Sequence, residues 1–308
     1  MDAMIEVAQL TKSYGKNRGV VNLEFTIPSG QVFGFLGPNG AGKTTTIRLL
    51  MALLRADSGS ARIAGLDCWK DSLAVKRLTG YVPGEPSLDP NLTGGQILTY
   101  FSHLRGTVDQ QYLQSLIERL DLDTGHPFHQ YSTGNKRKVV LIQAFMHRPR
   151  VLILDEPTGG LDPLNQQAFA LMVREAIGWG ATVLLSSHIL SEVEELCDEV
   201  AIIREGRLAR VGRVAEIKDI KRQQFTLVFA APVPTDAFAT LPGVTRIDVA
   251  DGGRTLHVSV QGTPDAVVKA AAQHPVVSLS SYEPSLEDIF LHYFDAGDPP
   301  AGATSDVA

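Results

Sequence analysis

Eight residues, Gly37-Pro38-Asn39-Gly40-Ala41-Gly42-Lys43-Thr44, constrain this chain more than any other stretch. The apolar run Val32-Phe33-Gly34-Phe35-Leu36 leads in and Thr45-Thr46-Ile47-Arg48-Leu49-Leu50 leads out, so the local order reads strand, loop, helix. Small residues let the backbone curl until successive N–H groups converge on one point, and the following helix aims its positive end at that point. Such a nest holds a phosphate. Asn39, Gly40, Gly42 and Thr45 belong to it, Lys43 adds a mobile cation, and Thr44 offers a hydroxyl where loops of this spacing hold Mg²⁺. Glycine-rich turns between strand and helix also serve packing alone, but the full G-x-x-x-x-G-K-T spacing in this context favours the phosphate reading.

Other stretches bear on the same chemistry. Val151-Leu152-Ile153-Leu154 has the pattern of a buried parallel strand and ends in Asp155-Glu156-Pro157. Two adjacent carboxylates at such a tip are costly unless they serve a cation or a proton transfer. Asp155 is placed to face Thr44 and hold Mg²⁺, and Glu156 to face a γ-phosphate and polarise a water; the alternative is an Asp-Glu pair that opens a helix. Thr182 to Ser186 reads as a second buried strand, ending at Ser187-His188. A lone histidine there is commonly a satisfied core or surface group, unless a developing charge lies nearby. Tyr131-Ser132-Thr133-Gly134 precedes a helical pattern, so Ser132 is a natural N-cap of either a second phosphate-binding terminus or simply a capped helix. Tyr14, in the turn Tyr14-Gly15-Lys16, could stack on a base or be a surface hairpin tyrosine.

Composition sets the outer limits. The chain has 308 residues and is 44% hydrophobic, enough for one large or two modest soluble domains. A net charge of −6 provides no general attraction to nucleic acid or anionic lipid. The two cysteines, Cys68 and Cys197, show no ligand spacing and are expected to be small buried apolar residues in a reducing compartment. The first residues lack a basic start and an apolar core, so export is not expected. The longest apolar runs fall far short of the roughly 20 residues that cross a bilayer.

Read in order, Met4 to Leu10 and Val21 to Ile27 form an antiparallel hairpin before the loop strand. Ser60 to Ile63 is a short strand, Ser72 to Leu78 a helix, and Gly80-Tyr81-Val82 a strand closed by Pro83-Gly84-Glu85-Pro86. Helical spacing over Gly95 to Leu104, Asp109 to Leu120 and Gly134 to His147 marks a helical insert, 94–147. Leu164 to Ile177 and Leu190 to Asp198 are helices, and Val200 to Arg204 pairs with Arg207 to Val211. Beyond Lys221, strand, helix, strand, strand, helix, strand gives the ferredoxin-like order, with helices over Asp236 to Leu241 and Thr263 to Gln273. A terminal helix, Ser285 to Phe294, and a disordered tail, 295–308, follow.

Taken together, Gly37 to Thr45, Ser132 to Lys138, Val151 to Glu156, Gly159 to Asp162 and His188 resemble, in order and spacing, the ATP-binding subunit of an ABC transporter. They stand as Walker A, signature, Walker B with its glutamate, D-loop and switch histidine, and Tyr14 as the adenine-stacking aromatic. The fold implied is α/β: a P-loop NTPase domain of ABC type over 1–220, with an antiparallel β subdomain and the helical insert. A small C-terminal α+β domain of ferredoxin-like order occupies 221–294. The resemblance implies ATP and Mg²⁺ as ligands, hydrolysis by Glu156 steadied by His188, and a head-to-tail dimer. In that dimer Ser132 and Gly134 meet the γ-phosphate held by the opposite subunit, and Asp162 of the D-loop is a further nucleotide-binding residue. It also implies a separate membrane permease and a cytoplasmic place on the inner face of the plasma membrane.

Two departures stand out. The loop after Tyr81-Val82 carries Gly84 and Glu85 where the family has a glutamine that contacts Mg²⁺ and the attacking water; either Glu85 substitutes or the contact is missing. The signature reads Tyr-Ser-Thr-Gly-Asn-Lys in place of Leu-Ser-Gly-Gly-Gln, keeping Ser132 and Gly134. The C-terminal domain, ending in Tyr282-Glu283-Pro284-Ser285-Leu286-Glu287-Asp288-Ile289-Phe290, is similar to that of ATPases serving ABC-2-type exporters, including drug and antibiotic pumps. The alternative is a soluble ABC ATPase acting on ribosomes or nucleic acid; the acidic balance and the single cassette speak against it. A ligand-sensing role for the C-terminal domain can coexist with transport.

Overall fold

The computed structural model describes residues 2–15, 19–106, 108–218 and 222–282. The expected helix over 285–294, the tail and Lys16 of the hairpin turn lie outside them. The chain divides into two compact units after Val214, six residues before the boundary expected from sequence. Val214 still belongs to the first unit's hydrogen bonding, its N–H donating to Asp198 O at 3.0 Å.

In the first unit, β1 (Ala3–Ser13) and β2 (Gly19–Pro28) form the expected hairpin. They are followed by β3 (Val32–Leu36), α1 (Lys43–Leu50), β4 (Ser58–Ile63), β5 (Leu66–Asp67), α2 (Ser72–Leu78) and β6 (Thr79–Val82). The insert supplies α3 (Gly94–Arg105), α4 (Gln110–Arg119) and α5 (Thr133–Phe145). Each begins at a side-chain cap: Thr93 in a capping box with Gln96, Asp109, and Ser132. Then come β7 (Val151–Asp155), α6 (Pro163–Gly178), β8 (Thr182–Ser187), α7 (Leu190–Leu196), β9 (Glu199–Arg204) and β10 (Arg207–Arg213), and α8 (Val214–Lys218) starts at the boundary itself.

Two sheets result. One is antiparallel, in the order β2-β1-β4-β5; the other runs β10-β9-β3-β8-β7-β6, parallel except for β10 at its edge. Every residue of β3, β7 and β8 is buried, as continuous apolar runs in a parallel sheet require. The sheets share one core: Phe25 of the hairpin lies 5.7 Å from Phe33 and 5.6 Å from Phe35, and Ile47 and Leu50 of α1 join them. This packing seats α1 with its N-terminus at the carboxyl ends of the parallel strands, where α/β sheets place their ligands.

Helix α7 ends two residues earlier than its pattern predicts. Asp198 is recruited by the sheet: its N–H donates to Val32 O at 2.8 Å, and its carboxylate accepts from Val32 N at 2.9 Å. Cys197 is buried beside Gly34 of β3, and Cys68 is buried in the shared core. Among the described residues no helix is long and apolar enough to cross a membrane.

The second unit contains β11 (Arg222–Phe229), α9 (Asp236–Ala239), β12 (Val244–Ala250), β13 (Thr255–Gln261), α10 (Asp265–Ala271) and β14 (Val276–Tyr282). This is the strand, helix, strand, strand, helix, strand order read from sequence as ferredoxin-like, and its antiparallel sheet runs β12-β13-β11-β14. Phe225, Leu227 and Phe229 of β11, with Leu256, Val258 and Val260 of β13, close a core against Phe238 and Val267. Helix α9 stops before Leu241, where Pro242 and Gly243 follow, and α10 starts after Pro264 rather than at Thr263.

Candidate functional site

The loop between β3 and α1 folds as its composition requires. Gly42, the residue before α1, has φ 114°, a conformation that side chains rarely adopt. Its neighbours form a cleft lined by Pro38, Asn39, Gly40, Gly42, Lys43, Thr44, Thr45, Gly19 and Glu156. The carboxylate at the tip of the neighbouring parallel strands thus meets the loop, as the sequence reading requires.

Lys43 is 4% exposed. Its Nζ donates to Gly37 O at 2.6 Å and Pro38 O at 3.2 Å, and lies 3.3 Å from Glu156 Oε1. Glu156 Oε2 lies 3.1 Å from His188 Nδ1. One carboxylate therefore spans the loop cation and the half-exposed histidine. Glu156 itself has φ 46°, a left-handed backbone held because its N–H donates to both the backbone oxygen and the hydroxyl of Ser186, each at 3.1 Å.

Asp155 is wholly buried. Ser186 Oγ donates to its Oδ1 at 2.6 Å, while Oδ2 has no hydrogen-bond partner. A buried carboxylate oxygen without a protein partner is a place for a cation or a water. Among the described residues no three His, Cys, Asp or Glu side chains gather as a metal cluster. A cation at Asp155 would therefore draw most of its ligands from water and phosphate, the habit of Mg²⁺, with the Thr44 hydroxyl available in the adjoining cleft. The carboxylate also acts on Tyr81, whose phenol is pushed up to about 12 by burial first and by Asp155 second.

Other sequence candidates lie elsewhere. Glu85 is exposed and does not line the cleft; Gly84 is the residue beside Asp155, since a Cβ on it would stand 3.1 Å from Oδ2. Tyr14 is 49% exposed and also outside the cleft lining. Ser132 Oγ accepts from Asn135 N at 3.2 Å as the cap of α5. A Cβ on Gly134 would come within 2.6 Å of Gly160 O, so the first turn of α5 touches the loop before α6. Asp162 caps α6, accepting from Asn165 N at 3.0 Å and Nδ2 at 2.6 Å, and these bonds hold its carboxyl below the usual range.

Three residues outside the sequence reading complete the arrangement. Ser186 ties Asp155 to Glu156. Glu192 on α7 accepts from Thr158 Oγ1 and, at 2.7 Å, from Ser187 Oγ, joining the loop after Glu156 to the strand end before His188. Arg137 on α5 donates to carbonyls of two further loops. The paired serines ending an apolar strand were the available signal for Ser186. A basic residue inside the signature run was the signal for Arg137.

Comparison with known proteins agrees with this geometry. The family model for ABC transporters matches residues 20–159, and that for the DrrA1-3-like ATP-binding protein C-terminal domain matches 212–294. The chain is 33% identical over 302 residues to the daunorubicin resistance ATP-binding protein DrrA3 of Streptomyces coeruleorubidus, covering 94% of this chain and 96% of the relative. It is 36% identical over 305 residues to the bacitracin transport ATP-binding protein BcrA of Bacillus licheniformis, covering 96% and 99%. A solved ATP-binding subunit of an ABC transporter superposes with a TM-score of 0.66 at 30% identity, over 70% of this chain and 92% of that one. With Glu156 lining the cleft of a phosphate loop and touching His188, and relatives matched nearly end to end, the chain belongs to the ATP-binding proteins of ABC transporters and is an ATPase.

Proposed function

We propose that this chain hydrolyses ATP to power an ABC-2-type exporter of a drug, antibiotic or other hydrophobic compound, through a permease on a separate polypeptide. The observation that carries the catalytic part is the chain of contacts from Lys43 in the phosphate-loop cleft through Glu156 to His188. The loop N–H groups and Lys43 bind the β- and γ-phosphates, with Asn39, Gly40, Gly42 and Thr45 in the wall, and Tyr14 stacks on the adenine. Phosphate oxygens compete with Gly37 O and Glu156 for the three donors of Lys43, which frees Glu156 Oε1 to take a proton from the attacking water. His188, held by the other carboxylate oxygen, donates toward the charge that develops on the γ-phosphate. Thr44 and Asp155 are the residues that would hold Mg²⁺, which when bound neutralises phosphate charge; Glu85 is a candidate only if its loop moves.

The relatives' names support export of antibiotics, and solved cassettes described as dimers support a pair of ATPase subunits. In such a pair Ser132, exposed at the start of α5, and the half-buried Gly134 face the opposite subunit's nucleotide, with Asp162 a further nucleotide-binding residue. A groove of about 740 Å³ lined by Leu53, Leu73, Phe101 and Leu104, with Leu73 and Leu104 exposed, offers the permease an apolar seat on the inner membrane face. The acidic balance gives no support to nucleic acid as partner.

The test is Glu156→Gln. Turnover should fall by roughly 10²–10⁴-fold, the range of a general base, with ATP binding retained by equilibrium dialysis. Co-purification of the tagged chain from detergent-solubilised membranes should recover a multi-span protein. Wild-type turnover in the variant would refute the assignment of Glu156, and recovery with ribosomes alone would refute the exporter.

A further inference from the structure

Arg137 lies on the helix that Ser132 caps, yet it is 4% exposed. A guanidinium keeps its charge and its five rigid donors wherever it is placed, so a buried one requires fixed acceptors. Here they are backbone carbonyls: Nη1 donates to Pro83 O at 2.7 Å, Nη2 to Gly84 O at 2.6 Å and Nε to Gly159 O at 3.3 Å. These carbonyls belong to two loops far apart in sequence, one after β6 and one after β7.

Each gripped loop touches one of the two carboxylates. Gly84 approaches Asp155 so closely that an added Cβ would stand 3.1 Å from its Oδ2. Gly159 N–H donates to Glu156 O at 3.3 Å. One planar group on α5 therefore reaches the surroundings of both strand-tip carboxylates while touching neither.

We propose that Arg137 is a positioning residue: it fixes both loops beside Asp155 and Glu156 to α5, so that the two loops and the helix shift as one body. The inference rests on the reading of Asp155 and Glu156 as working carboxylates. It follows from donor geometry, because the compact ammonium of lysine keeps the charge but cannot reach three carbonyls on two loops.

The experiment is Arg137→Lys in the full chain. The kcat for ATP should fall roughly tenfold or more while KM stays within about twofold, since misplacing a reacting group costs rate and Arg137 does not line the phosphate cleft. Hydrogen exchange read by mass spectrometry supplies a signal that activity does not: amides over 84–88 and 158–161 should exchange faster together, with those of α1 unchanged. Wild-type kcat with unchanged exchange, or faster exchange in one loop alone, would overturn the proposal. Protection lost throughout the first unit would also overturn it, marking Arg137 as general core support. Should the lysine variant not fold, Arg137→Gln leaves no buried charge and is read by the same two measurements. Glu156→Gln run in parallel separates the two readings: if it turns over normally the catalytic assignment fails, whereas a dead Glu156→Gln beside a normal Arg137→Lys refutes only the role of Arg137.

Discussion

Removing the hydroxyl of Ser186 tests how the two carboxylates are held. Ser186 and Asp155 are both wholly buried. The hydroxyl donates to Asp155 Oδ1 at 2.6 Å and accepts from Glu156 N at 3.1 Å. In Ser186→Ala the carboxylate keeps neither oxygen satisfied by protein, because Oδ2 already lacks a partner. A lost bond to a buried charge costs about 1.5–3 kcal/mol. The bond from Glu156 N adds only about 0.5–1 kcal/mol, since that N–H retains Ser186 O. The sum is about 2–4 kcal/mol. For a unit running from Met1 to Val214, it lowers the melting midpoint by roughly 4–16 °C. Calorimetry of Ser186→Ala, Asp155→Asn and the double variant forms a cycle that isolates the pair. The coupling should be about 1.5–3 kcal/mol. Additive costs, or a midpoint for Ser186→Ala within about 2 °C of wild type, would refute the claim that this hydroxyl anchors Asp155.

Restoring a glutamine in Gly84→Gln puts a Cβ 3.1 Å from Asp155 Oδ2, so the loop or the carboxylate must give by a few tenths of an ångström; with that adjustment an amide able to contact the attacking water should raise basal turnover roughly tenfold, and unchanged steady-state ATPase activity would mean that Gly84 does not limit the rate. His147 gives a pH prediction: burial first and the Arg105 charge second lower its pKa to about 4 from 6.5. The unfolded chain takes up that proton more readily, so the contribution is fully present above pH 6.5 and is lost as pH falls toward 4, by up to roughly 3 kcal/mol. The difference in stability between wild type and His147→Gln, followed by urea unfolding from pH 7 to 4, should shift by that amount; parallel curves would contradict it.

Much of the fold was legible because its signals are local. The hairpin, the fully apolar strands β3, β7 and β8, and the capped helices of the insert follow from periodicity and from Thr93, Asp109 and Ser132 at their starts. What sequence hid was recruitment between distant segments. Asp198 reads as helical until β3 claims both its backbone and its carboxylate. The cleft shows the same division. Lys43, Thr44, Asp155 and Glu156 announce themselves by spacing and His188 through the family resemblance, whereas Ser186, Glu192 and Arg137 act through carbonyls and hydroxyls that no spacing rule connects. Glu85 looked a natural substitute for a missing glutamine because it is the nearest polar residue in sequence, yet the backbone turns Gly84 toward Asp155 and leaves Glu85 exposed.

The buried thiols have a practical consequence. Cys68 is 2% exposed and Cys197 9%; burial pushes the Cys68 thiol up to about 12 and raises Cys197 as well. Electrophiles react with thiolate, and neither side chain offers it at neutral pH. Toward maleimides the native chain is therefore as inert as a cysteine-free one. A single new cysteine at exposed Gln111 or Leu171 can carry a fluorophore or spin label without stripping the wild-type background, and the separation between two labelled copies during turnover becomes a quantity that can be recorded directly.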